Sequence, residues 1–258
     1  MNKKNRVLIW DIPTRMFHWF FAGGFIVAAM FALTFGEHSP LFPYHAIFGL
    51  IIFLMVVLRV LWGFVGTRYA RFDSFAFSPM SVFEYLKGAL RGSGIRYVGH
   101  NPGSAYAIFA MLIMMIGLAI TGIMLGLGNE WVEEIHESLA YTMVAVAATH
   151  IMGVLFHTIR HRENIAASMF HGKKEAETHE AIPSSRPIIG VIFIVLIGAW
   201  AWGLLTNYDA SMQSIRLPLV GIQLQVGEIE DKDQLGQSEK HGYKDDHDEN
   251  DEDDEHDE

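Results

Sequence analysis

The sequence predicts an all-α integral membrane protein: a four-helix transmembrane bundle that holds a cofactor, then a fifth transmembrane helix and a disordered acidic C-terminal tail. Three observations predict it. Hydrophobic residues make up 51% of the 258-residue chain and gather in long runs rather than alternating. Five of those runs approach the ~20 residues that a bilayer core requires. Histidines sit inside or at the edges of the runs, where an imidazole is costly unless it is used.

The first run, near 16–36, follows Lys3, Lys4, Arg6 and Arg15. It lacks a small-residue cleavage site and is expected to be retained rather than removed as a signal peptide. The connector "EHSPLFPY" contains no Lys or Arg, and the second run, near 44–66, is interrupted only by Arg59. A longer connector with Arg68, Arg71, Lys87, Arg91 and Arg96 leads to the third run, near 103–126. "GLGNEWVEE", again without Lys or Arg, leads to the fourth, near 135–157. Arg160, Arg162, Lys173, Lys174 and Arg186 then precede the fifth, near 187–206. By the positive-inside rule the N-terminus is expected in the cytoplasm, and the odd number of spans puts the C-terminus in the periplasm of a bacterial inner-membrane protein. The expected organisation is a transmembrane core over 1–174, a linker and fifth helix over 175–206, and an extracytoplasmic segment over 207–258.

The acidity is local. Residues 228–258 carry 16 Asp and Glu against 3 Lys, a net of −13, so the remainder is +3 within the total of −10. Its end, "DDHDENDEDDEHDE", is a like-charge block that cannot bury apolar surface. A solvating tail is the plainer reading. The sharper ones are a docking element for a basic partner and loose metal chelation by His241, His247 and His256. No nucleic-acid partner is expected.

There are no cysteines, which excludes covalently attached haem, cysteine-ligated iron–sulfur clusters and disulfides, and leaves 13 histidines as candidate ligands. Depth sorts them. His18 lies at the cytoplasmic end of the first span, His45 at the outer end of the second and His136 at the outer end of the fourth. His150 is fourteen residues further along that same helix, close to four turns, so the two face the same way about 21 Å apart. An imidazole from each of two facing helices can bind haem iron axially. Depth pairs His45 with His136 and His18 with His150. His157 competes for the inner place, but it would separate the irons by about 32 Å and opens the basic "HTIRHRE" segment where the helix leaves the membrane. His161 and His171 are expected to be solvated, and His38 and His100 lie in connectors.

Gly24, Gly49, Gly117, Gly122 and Gly153 remove bulk from helix faces, which suits either close packing or a flat macrocycle. Arg15, one turn before His18, and Arg59 are candidate partners for haem propionates, since Arg matches carboxylates bidentately. Topology and snorkelling account for both almost as well. Glu133, Glu134 and Glu137 read as solvated residues beside a span.

The stretches "VLIWDIPTRMFHW", "YHAIFGL", "LRVLWGFVGTRYARFDSF", "GHNPGSA", "EIHESLAY", "THIMGVLFH" and "RENIAASMFHGKK" cover most of residues 7–174 and resemble the bacterial cytochrome b561 type. That type includes the di-haem cytochrome b subunit of membrane-bound nickel–iron hydrogenases. The resemblance implies a four-helix core with two b haems held by bis-histidine ligation, and electron transfer between quinones and a partner redox protein. The partner would be a periplasmic c-type cytochrome or a hydrogenase-like oxidoreductase. The family's ligand positions fall on His18, His45, His136 and His150. The fifth span and the acidic tail depart from the pattern. Two other readings are a haem-containing membrane anchor for an oxidoreductase and a His-based metal or proton transporter. The latter calls for a polar path, which the third span, "AYAIFAMLIMMIGLAITGIML", scarcely offers.

Overall fold

A computed structural model describes residues 5–36, 39–91, 97–161 and 164–227. His38, Arg96, Arg162, the side chain of His161 and the acidic tail with its three histidines lie outside the described residues. Among the described residues, five helices are long and apolar enough to cross a membrane.

A short strand, β1 (Asn5–Leu8), leads into α1 (Ile12–Thr34). The start of α1 is fixed by Asp11, whose carboxylate accepts the Thr14 N–H at 2.8 Å, and by Pro13 in the first turn. The chain returns through α2 (Pro43–Val65) and then forms α3 (Pro79–Arg91). This short amphipathic helix turns Met80, Phe83 and Leu86 outward. Asn101 caps α4 (Pro102–Gly126) by accepting the Ser104 N–H, and α5 (Glu133–His161) crosses back. The seven-residue α6 (Ile165–His171) ends on Gly172 with φ 80°, the left-handed conformation that favours glycine. From there β2 (Lys173–Ala176) pairs antiparallel with β1, Asn5 opposite Ala176 and Leu8 opposite Lys173. The last long helix is α7 (Pro187–Thr206). Three short strands follow in an antiparallel sheet of order β3-β4-β5: β3 (Tyr208–Asp209), β4 (Ser214–Arg216) and β5 (Gln223–Gln225).

The first four long helices, adjacent in the chain, pack side by side. α1 lies along α2, α2 meets α4, and α4 lies along α5, while α7 covers the outer side of α1 and α2. Gly190 permits the α7 contact, since a Cβ there would meet Ile12 at 2.6 Å, and Trp200 Nε1 donates to the Leu50 carbonyl at 3.1 Å. Ile113, Ile188 and Val195 point outward, as residues facing lipid do; inside a bilayer it is packing and hydrogen bonds, not water exclusion, that hold such helices together.

Three clusters of buried side chains stack along the bundle. Midway sit Ala28, Ile52, Val56, Leu112, Leu118 and Met143. At the face opposite the N-terminus, Ile215, Leu217, Leu224 and Val226 of the small sheet close over Ile47, Leu50 and Leu204. At the N-terminal face, Ile9, Trp10 and Tyr69 pack against Ala176 and Ile182. One cap thus covers the start of α2 and the end of α7, and the other lies against the residues that lead into α1. Neither cap was expected from the sequence.

Candidate functional site

At the face opposite the N-terminus, the first turns of α2 and α5 carry His45 and His136. The structure brings them together edge to face, with ring centroids 6.1 Å apart and planes at 84°. His45 Nδ1 lies 2.9 Å from the Ala28 carbonyl of α1. A carbonyl only accepts, so Nδ1 carries the proton and Nε2 keeps its lone pair. His136 Nδ1 lies 2.8 Å from Thr121 Oγ1 on α4. Thr121 donates its one proton to the Gly117 and Leu118 carbonyls, so it accepts from His136 Nδ1, and the lone pair again falls on Nε2. Both rings are held by one nitrogen and present the other.

Along α5 the residues seven apart are His136, Met143, His150 and His157, nearly one stripe of the helix. Met143 has no solvent exposure and belongs to the middle cluster, so packed side chains separate the two histidine levels. His157 is engaged in a contact of its own.

At the N-terminal level the structure gathers His18 of α1, His150 of α5, Arg59 of α2, Arg15 and an unexpected fifth residue, His100. His18 is near enough to His150 to interact with it electrostatically. Its ring sits edge to face on Trp19 at 4.8 Å. Arg59 is only 3% exposed; its guanidinium lies over the rings of Phe72 at 5.2 Å and Phe17 at 5.9 Å. Arg15 donates to the Phe170 carbonyl. His100 lies between Trp10, at 4.7 Å, and Phe75, at 4.5 Å. Burial, followed by the charges of Arg59 and Lys174 and the imidazoles of His150 and His18, pushes its pKa down to about 3. Lys174 itself donates to the Tyr97 carbonyl.

Asp11 organises this end. It is buried, and beside capping α1 it accepts Trp62 Nε1 at 3.0 Å and Thr67 Oγ1 at 2.6 Å, which ties α1 to α2. Trp10 Nε1 reaches Ser168 and Trp19 Nε1 the Met169 carbonyl, which ties α1 to α6. The opening "WDIPTRMFHW" is thus a set of clamps around His18.

The glycines divide. Gly24 and Gly117 serve close packing, since a Cβ would meet Ile52 or Leu139 at 3.1 Å. At Gly122 the nearest atom would be His136 Cε1 at 3.4 Å, and at Gly49 and Gly153 a Cβ would meet nothing within 4 Å. His171 is exposed, with Arg6 Nη2 2.8 Å away, and His161 closes α5. Among the described residues no three His, Asp or Glu side chains converge as a metal site.

Helices of membrane-spanning length, with imidazoles gathered at two depths, define a multi-pass helical membrane protein built around interior polar sites. The family model of prokaryotic cytochrome b561 matches residues 9–172, and the chain belongs to that family. Three similar proteins are each named as a probable Ni/Fe-hydrogenase B-type cytochrome subunit. That of Rhizobium leguminosarum is 24% identical over 217 residues, covering 67% of this chain and 90% of the relative. That of Bradyrhizobium diazoefficiens is 24% identical, covering 66% and 86%, and that of Azotobacter vinelandii 23%, covering 52% and 67%. No solved structure matches the chain. Family membership makes this a membrane electron-transfer protein whose cofactor is haem b.

The residues fit that group. The ring centroids of His45 and His136 are 6.1 Å apart, which would leave room for one ion bonded to a nitrogen of each ring through bonds of about 2 Å. Buried polar atoms without a hydrogen-bond partner include Arg15 Nε, His18 Nδ1, Arg59 Nη1 and His100 Nδ1, all at the N-terminal level. Orphans of this kind are costly, and an anionic, nitrogen-binding group would engage them.

Proposed function

We propose that the protein is a di-haem b-type cytochrome of a respiratory chain that passes electrons between the quinone pool and a partner redox protein. His45 and His136 hold the outer haem, and His18 and His150 the inner one. The observation that carries this reading is the His45–His136 pair, each ring anchored through Nδ1 and offering Nε2, the arrangement of metal-ligating histidines. When bound, haem iron supplies a one-electron couple whose potential follows from its axial ligands, burial and surrounding charge. Arg15 and Arg59 hold the propionates at the inner level. Ala28 and Thr121 fix the outer rings and raise their basicity. The packed layer around Met143 keeps water from the space between the levels.

Sidedness follows from the connectors: the N-terminal face, with Arg68, Arg71, Lys87 and Lys173, is cytoplasmic, and the face with the small sheet is periplasmic. The partner is a hydrogenase-like oxidoreductase, as the names of the relatives point to, or a periplasmic c-type cytochrome. The test is a reduced-minus-oxidised spectrum and a haem-to-protein ratio on protein purified from a haem-replete host. A b-type spectrum with two haems per chain is expected. One haem per chain, or none, in well-expressed protein would overturn the assignment.

A further inference from the structure

We propose that His100 binds the carboxylate edge of the inner haem, a role that rests on the di-haem reading above. His100 comes from the connector before α4, far in sequence from the helices that carry His18 and His150, yet the fold delivers it to their level. Phe75 beside it packs on Phe72 at 5.9 Å, and the Arg59 guanidinium lies over the Phe72 ring at 5.2 Å; Lys174, His150 and His18 are within electrostatic reach. Trp10 and Phe75 both pack on its ring, tilted by 53° and 54°. Nδ1 is nevertheless buried without a partner.

An imidazole needed only to fill space between two aromatic rings would be better replaced by an apolar ring, which leaves no nitrogen to desolvate. The orphaned nitrogen instead belongs to a group of four nitrogens at this level, with Arg59 Nη1, Arg15 Nε and His18 Nδ1. All four can donate, and they come from three separate segments of the chain. Among the described residues, the carboxylate that acts on Arg59 is that of Asp11. Both Asp11 oxygens already serve Thr14, Trp62 and Thr67. The shared deficit is therefore an acceptor with negative charge. A haem bound by His18 and His150 would bring two such groups, its propionates, and these nitrogens would hold them. His100 would reach them from the connector before α4, Arg59 from α2 and Arg15 from α1.

The consequence is electrostatic. A hydrogen bond from His100 draws charge from the propionate and lessens the negative potential at the iron; without it the oxidised form gains and the potential falls. The experiment compares His100→Phe, which keeps a stacking ring without nitrogens, with His100→Gln, which keeps a donor without the ring. Both are read by haem-to-protein ratio and by redox titration of the purified protein. Expected are two haems in each variant, a lower potential for one haem in His100→Phe, and recovery toward the parent value in His100→Gln. Unchanged potentials in His100→Phe would overturn the proposal and leave a packing role. So would loss of a haem from His100→Phe, which would make His100 an axial ligand. Should His100→Phe not assemble, His100→Gln decides alone, with a parent-like potential supporting the contact and a lowered one rejecting it. His150→Leu measured in parallel identifies the inner haem. Retention of both haems in His150→Leu would show that the two-level reading had failed, a result separable from those of the His100 variants.

Discussion

The imidazole of His136 on α5 is held by the hydroxyl of Thr121 on α4, with Nδ1 2.8 Å from Oγ1. The hydroxyl also reaches the Gly117 and Leu118 carbonyls one turn away, and with its one proton given there it accepts from His136. The contact fixes both the ring's tautomer and its aim. Thr121→Val keeps the shape and removes the acceptor. The expected outcome is a loss of about 10- to 100-fold in retention of the outer haem, measured as haem-to-protein ratio during competition with apo-myoglobin. Retention equal to that of the parent would show that Thr121 does not orient a ligand.

Pairing has its own signature. His45→Leu and His136→Leu should each remove the same haem, and His18→Leu and His150→Leu the other, as seen in low-temperature spectra and redox titration. His157→Leu should keep both. The assignment of the inner pair fails if a well-expressed His157→Leu protein loses the haem that His18→Leu loses while His150→Leu keeps two.

The clamp at Asp11 predicts a stability effect. Asp11→Ala removes the acceptor from a helix cap and from two buried donors, Trp62 Nε1 and Thr67 Oγ1. The expected cost is about 3 kcal/mol, seen as a lowered Tm in detergent. Asp11→Asn, which retains one acceptor oxygen, should fall between the two. A Tm equal to the parent's in Asp11→Ala would mean that the clamp contributes nothing.

Sidedness can be read with a protease. With the N-terminal face in the cytoplasm, protease added to intact spheroplasts should remove residues after Gly227, the last described residue at the sheet face. Complete protection, with cleavage on lysis, would invert the orientation.

If the acidic tail steers a basic partner, truncation after Gly227 should slow electron transfer to it at low salt. The difference should vanish near 1 M salt, where the screening length is about 3 Å. Equal rates at low salt would return the tail to a solvating role.

Much of this was legible in the sequence because membranes write in long words. Apolar runs gave the five helices to within a few residues, since no other structure satisfies the backbone in lipid. Depth placed His45 beside His136 because both sit one turn inside helices that start at the same face. His100 escaped notice for the opposite reason. A connector residue has no depth of its own, and its burial depends on Trp10 and Phe75 arriving from elsewhere in the chain. Its motif, "GHNPGSA", was visible, but only as one stretch of the family resemblance, with His100 itself read as a connector residue. The far-face sheet was equally hidden. Strands of two or three residues show no periodicity, and what folds them is the apolar ends of α2 and α7 beneath.

Met143 gives the middle of the bundle a further meaning. It is sealed from solvent halfway between the levels of His136 and His150, in a layer shared by α1, α2, α4 and α5. An electron moving between the levels would have to tunnel, and tunnelling falls off far more slowly through bonded, close-packed matter than through a gap. The ordinary hydrophobic filling of this bundle would then be its wire. Trimming Met143 to glycine would lengthen the through-space portion of the route without touching a ligand. The exchange of electrons would slow while spectra and potentials stayed where they were.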